Sequence, residues 1–95
     1  MISRLFTIIL LLSFMLPALA SAGTVSGQVT DASGRPVSNV FVSSGGQSDI
    51  TDVNGKYKLM HVPDGQQKLQ ARKDNAVKEV TITVGPNTSQ NITFP

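Results

Sequence analysis

Thr51-Asp52-Val53-Asn54-Gly55-Lys56-Tyr57-Lys58-Leu59 is the stretch on which the fold turns. Asn54-Gly55 reads as a tight type I′ hairpin turn, because both residues tolerate the positive φ that such a turn requires. Ile50 lies before the turn. Tyr57 and Leu59 follow at period two, with Lys56 and Lys58 on the opposite face. A single hairpin is marginal in water, so the rest of the chain must cover its apolar face.

Working outward, the chain before this stretch begins with an export signal. Met1 to Arg4 is a short basic n-region, Leu5 to Leu16 is almost continuously apolar, and Pro17 precedes the small residues Ala18-Leu19-Ala20-Ser21-Ala22. This is the pattern of a secretory signal peptide over residues 1–22, with cleavage after Ala20 or Ala22. The apolar run is shorter than the ~20 residues of a spanning helix. The expectation is therefore a secreted or periplasmic protein without stable membrane insertion after cleavage. Residues 23–95 form one small domain of about 73 residues. The chain has no cysteine, so no disulfide reinforces the domain and its stability must come from a packed core. Loss of Arg4 takes the formal net charge of +2 down by one. With few aromatic residues, that balance gives no footprint for nucleic acid and no polybasic membrane patch.

The remaining segments alternate. Thr24 to Thr30 places Val25, Gly27 and Val29 on one face, and the inward glycine points to a close approach or a bend. Asp31 to Gly34 is a turn in which the Asp31 carboxylate accepts from the N–H two residues on. Val40-Phe41-Val42 is a second strand with Phe41 facing away from the two valines. Ser43 to Gly46 is a loop, Gln47 to Thr51 a third strand and Lys56 to His61 a fourth. After the Pro63-Asp64-Gly65 turn, a fifth strand over 67–72 turns Leu69 and Ala71 inward and Lys68, Gln70 and Arg72 outward. Val80 to Val84 is β-branched throughout, and Gln90 to Phe94 is a seventh strand with Ile92 and Phe94 inward. No window has a helical apolar period. Seven short strands separated by turns predict an all-β, Greek-key β-sandwich.

Three motifs carry a resemblance to a known family. They are Val25-x-Gly27-x-Val29-x-Asp31-x-x-Gly34-x-Pro36-x-x-Asn39-Val40-x-Val42, then Thr51-Asp52-x-Asn54-Gly55-x-Tyr57-x-Leu59, then Val62-Pro63-x-Gly65-x-x-x-Leu69. Together they resemble the carboxypeptidase regulatory-like domain over nearly all of residues 23–95. The resemblance implies a transthyretin-like (prealbumin-like) seven-stranded sandwich and a non-catalytic module serving as folding aid, spacer or interaction surface. Two positions depart from the family pattern: Asn39 stands where glycine is usual, and Gln67 where an aromatic residue often sits.

The catalytic and metal chemistries fail on residue types. If Gly55 is aligned with the invariant glycine of an EF-hand, the first and twelfth positions are Ile50 and His61, neither a carboxylate. His61 is the only histidine and there is no cysteine, so zinc lacks its three or four converging ligands. No serine sits in a nucleophile elbow. The chain also lacks the histidines and the C-terminal Tyr-Arg-Gly-Ser of the transthyretin-like hydroxyisourate hydrolases. Related surface domains form a Lys–Asn isopeptide bond, but Val29 occupies the lysine place. No cofactor and no metal are expected.

One surface feature is left. Lys56 and Lys58 on the fourth strand, with Lys68, Gln70 and Arg72 on the fifth, form a basic stripe if those strands pair through the Pro63-Asp64-Gly65 turn. Such a stripe suits an acidic partner or an anionic glycan; the plainer reading is a solvated face whose lysines discourage edge aggregation. Phe41 is the one mature aromatic residue facing outward. The expected protein is an exported monomer that binds an envelope protein or acts as a structural adaptor. A carbohydrate-binding module and a small hydrolase are the alternatives.

Overall fold

The computed structural model describes residues 21–95. The stretch read as a signal peptide, residues 1–22, lies outside the described residues up to Ala20, whereas Ser21 and Ala22 lie within them. Every regular element described is a strand: β1 (Ala22–Thr30), β2 (Phe41–Ser44), β3 (Gln47–Ile50), β4 (Lys56–Pro63), β5 (Gly65–Lys73), β6 (Ala76–Val84), β7 (Asn87–Ser89) and β8 (Ile92–Thr93). They form two sheets. One has the order β4-β1-β7, with β8 also on β1; the other has the order β3-β2-β5-β6.

Alternation determines which side chains meet between the sheets. Val25 and Val29 of β1, Tyr57, Leu59 and Val62 of β4, Val42 of β2, Leu69 and Ala71 of β5, Ile82 and Val84 of β6, and Ile92 of β8 all enter one buried cluster, joined by Val40 and Phe94. This is the core that the period-two pattern predicts, and among the described residues it is the main hydrophobic cluster of a domain without disulfides.

The pairing of strands differs from the sequence expectation in three places. First, Asn54-Gly55 does not close a hairpin. β3 pairs with β2 and β4 pairs with β1, so the segment carries the chain from one sheet to the other. The turn itself is tight: the Gly55 N–H donates to Asp52 O at 2.9 Å and the Asp52 N–H to Lys56 O at 3.1 Å. Asp52 Oδ1 accepts from the N–H groups of Asn54 and Lys56. Only Gly55 takes positive φ, at 72°, and a Cβ there would lie 2.4 Å from the Val29 carbonyl oxygen. The double-positive geometry of a type I′ turn occurs instead at Gly45-Gly46 (φ 56° and 84°), where Ser44 pairs with Gln47 in the β2–β3 hairpin.

Second, a short strand outside the expected set, β7, precedes β8, which is the part of the expected Gln90–Phe94 strand that forms, making eight described segments where seven were expected. β7 and β8 both run parallel to β1, with Val25 opposite Thr88 and Val29 opposite Ile92. Between them Gln90 turns its carbonyl over Gly27 to meet the Tyr57 hydroxyl. The close approach foreseen at Gly27 therefore comes from the chain beside β1, within the same sheet.

Third, β4 and β5 do not pair through Pro63-Asp64-Gly65. That turn too crosses between sheets, and β5 pairs with β2 and β6. β4 bulges where Met60 and His61, both exposed, occupy the space opposite a single β1 residue, with His61 at φ 61°.

Asn39 accounts for its departure from the family pattern. Its φ is 60°, a left-handed conformation that asparagine tolerates better than other side-chain-bearing residues. It leads into a junction held by buried Thr51. The Thr51 hydroxyl donates to Val37 O at 2.8 Å and accepts from the Val40 N–H at 2.9 Å.

Candidate functional site

The two sheets present different outer faces. On the β3-β2-β5-β6 sheet, register places Ile50 opposite Phe41, Phe41 opposite Arg72, and Arg72 opposite Val77. These four residues form a row across the whole sheet on its solvent side. Ile50 is 57% exposed, Val77 56% and Phe41 36%, so two adjacent apolar side chains and a third beyond Arg72 stand in water along the row. The Arg72 guanidinium lies over the Phe41 ring, 5.3 Å from its centroid, a cation–π contact that orders both groups. The next row is polar: Ser48, Ser43, Gln70 and Glu79. Beyond it Lys68 faces Glu79 at 3.6 Å, a pair too exposed to hold much energy.

Lys56 and Lys58 lie elsewhere. They project from the outer face of the β4-β1-β7 sheet, opposite Gln28 and Ser26. An open groove of about 570 Å³ there is lined by both lysines, Ser26, Gln28, Asn91 and the carboxylates of Asp49 and Asp52. The carboxylates are engaged with the backbone: Asp49 Oδ2 accepts from the Lys58 N–H at 2.9 Å, closing the free edge of β4. Charge in the groove is mixed rather than basic.

The six candidate surface residues therefore divide. Phe41, Lys68, Gln70 and Arg72 share one face; Lys56 and Lys58 belong to the opposite one. The continuous stripe required β4–β5 pairing and does not form. Ile50 and Val77 join the first group, although sequence reasoning did not place them there. Their signal was faint. Ile50 has the same parity as Ser48 and so faces outward with it, and Val77 has the same parity as Thr81 and Thr83 in β6, which begins four residues before the expected Val80.

Near Val37 and the Lys73–Ala76 turn, the Asp31 turn forms as expected. Its Oδ1 accepts from the Ser33 hydroxyl at 2.7 Å and from the N–H groups of Ser33 and Arg35. The Ser33 hydroxyl, followed by the Arg35 N–H, holds the Asp31 carboxyl below its usual range. His61 sits at the β4 bulge in solvent. Among the described residues no three His, Cys, Asp or Glu side chains converge as a metal site would require.

The model of the family described as carboxypeptidase regulatory-like domain matches residues 24–95. A curated relative, structural protein 27 of a virus (isolate Australia/Victoria), is 42% identical over 55 residues, which are 58% of this chain and 11% of the relative. The chain thus spans about a tenth of that protein's length. Two crystal structures of type II cohesin–X–dockerin complexes from Acetivibrio cellulolyticus contain a similar fold. The C-terminal interface mutant gives a TM-score of 0.62 at 22% identity, and the N-terminal interface mutant 0.61 at 23%. Each alignment covers 74% of this chain and 52% of the other. A 9R-lipoxygenase from Cyanothece PCC8801 aligns with a TM-score of 0.51 at 12% identity, over 84% of this chain and 18% of that one.

Proposed function

The chain belongs to the carboxypeptidase regulatory-like domain family, and on that premise we propose that it is a non-catalytic module that works by binding another protein in the cell envelope. The observation that carries this reading is the exposed row of Ile50, Phe41, Arg72 and Val77. Aromatic residues and arginine are the side chains enriched where protein interfaces concentrate their energy. The similarity to chains of cohesin–X–dockerin complexes, which are protein assemblies, agrees with this reading. The glycan alternative wants a bare aromatic platform, and here a guanidinium already lies over the Phe41 ring.

The test is site-specific photo-crosslinking in the native cell. A photoreactive phenylalanine analogue at position 50 or 77 is expected to give one discrete protein adduct, and the same analogue at position 56, on the other sheet, none. An adduct from position 56 alone, or from no position, overturns the reading.

Export is part of the proposal and rests on residues 1–22. Cleavage after Ala20 suits the fold better than cleavage after Ala22, because the Asp64 N–H donates to Ser21 O at 3.0 Å and Ala22 pairs with Pro63. The intact mass of protein recovered from the envelope fraction is expected to correspond to a chain beginning at Ser21. A chain retaining Met1 would remove the signal-peptide reading.

A further inference from the structure

We propose that the Ile50–Phe41–Arg72–Val77 row binds an extended acidic segment of a partner protein, of the pattern apolar–x–Glu/Asp–x–apolar, with the carboxylate on Arg72. The inference rests on the protein-binding reading above and specifies the partner's chemistry.

Charge is the first argument. Arg72 has no acidic partner within salt-bridge distance among the described residues; the one ion pair present is Lys68–Glu79. Its guanidinium is held over Phe41 rather than left mobile, so its donors are offered with part of the ordering cost already met. A planar guanidinium flanked by apolar side chains takes a carboxylate in bidentate fashion better than any other common protein group.

Spacing is the second argument. Neighbouring strands lie about 4.8 Å apart, so the row from Ile50 on β3 to Val77 on β6 crosses three intervals, roughly 14 Å. In an extended segment, residues two apart share a face and stand about 6.8 Å from each other. With an acidic residue on Arg72, the residue two positions before it falls between Ile50 and Phe41. The residue two positions after it falls beside Val77. The order of the row, apolar–aromatic–cation–apolar, matches such a segment laid across the strands.

The test uses two blocked synthetic peptides, acetyl-Leu-Ser-Glu-Ser-Leu-amide and its Glu→Gln counterpart, titrated into the isotopically labelled protein by NMR. The Glu peptide is expected to shift the Arg72 side-chain N–H, the Phe41 ring and the Ile50 and Val77 methyl signals saturably. It should bind roughly tenfold more tightly than the Gln peptide. Arg72→Gln is expected to abolish that preference while leaving the remaining spectrum in place. Equal affinity for the two peptides would overturn the acidic specificity yet leave a protein-binding face. Saturable shifts at Lys56 and Lys58 instead, or none at all, would overturn the row as the docking site, and the crosslinking experiment would then decide separately whether the module binds protein.

Discussion

Gly27→Ala is expected to destabilise the domain by about 3 kcal/mol or more. A Cβ at Gly27 would sit 1.9 Å from the Gln90 carbonyl oxygen and 3.1 Å from the Tyr57 hydroxyl. The first neighbour is backbone. It cannot rotate away, and its residue is fixed by the Gln90 N–H, which donates to Ser26 O at 2.8 Å. Accommodation therefore requires the β7–β8 segment to move off β1, which loosens the contacts of Ile92 and Phe94 with the core. A domain of this size has roughly 4–11 kcal/mol in all, so the loss is a large fraction of it. Gly85→Ala is the control: nothing lies within 4 Å of a Cβ there, and its effect should stay within about 0.5 kcal/mol. Urea unfolding of the two variants beside the parent measures both. A loss below about 1 kcal/mol at Gly27 would mean that the Gln90 segment is not held against β1 as described.

What could be read from the residues divides along the line between local and non-local information. The inward set (Val25, Val29, Val42, Tyr57, Leu59, Leu69, Ala71) followed from alternation, because the side-chain period of a strand is a property of the strand alone. The tightness of the 52–55 turn was also local: Gly55 and the Asp52 carboxylate close it whatever lies on either side. The destination of the flanking strands was not local. The same Asn-Gly chemistry can join two strands of one sheet or pass between sheets, and here β4 pairs with β1, distant in sequence, while β3 pairs with β2 in a hairpin. The candidate site shows the same division. Outward placement of Lys56, Lys58, Lys68, Gln70 and Arg72 was legible, because it needs only parity. Their assembly into one stripe needed a pairing that topology denies. The row that does form joins four different strands, and none of its three adjacencies is between residues fewer than five apart in sequence.

Raising the pH above 10 is expected to destabilise the domain by way of Tyr57. Burial pushes its phenol up from 10 to about 12, since the phenolate would lose its water; the protonated hydroxyl donates to the Gln90 carbonyl. The unfolded chain releases this proton near 10 and the folded chain holds it until about 12. Below 10 both states are protonated and the group makes stability no function of pH. Between 10 and 12 the unfolded state gains about 1.4 kcal/mol per pH unit, roughly 2.7 kcal/mol in all, and above 12 the loss is complete. Lysines titrate in the same window, so the comparison that isolates Tyr57 is with Tyr57→Phe. That variant should lose about 1 kcal/mol at neutral pH, from the unpartnered Gln90 carbonyl, and should lack this part of the alkaline slope. Tyr57 is the only tyrosine and the chain has no tryptophan, so tyrosinate absorbance reports on one group. Tyrosinate formed near pH 10, with the far-ultraviolet circular dichroism of the native sheets unchanged, would show that the phenol is open to water and that the Tyr57–Gln90 contact does not hold β4 to the end of the chain.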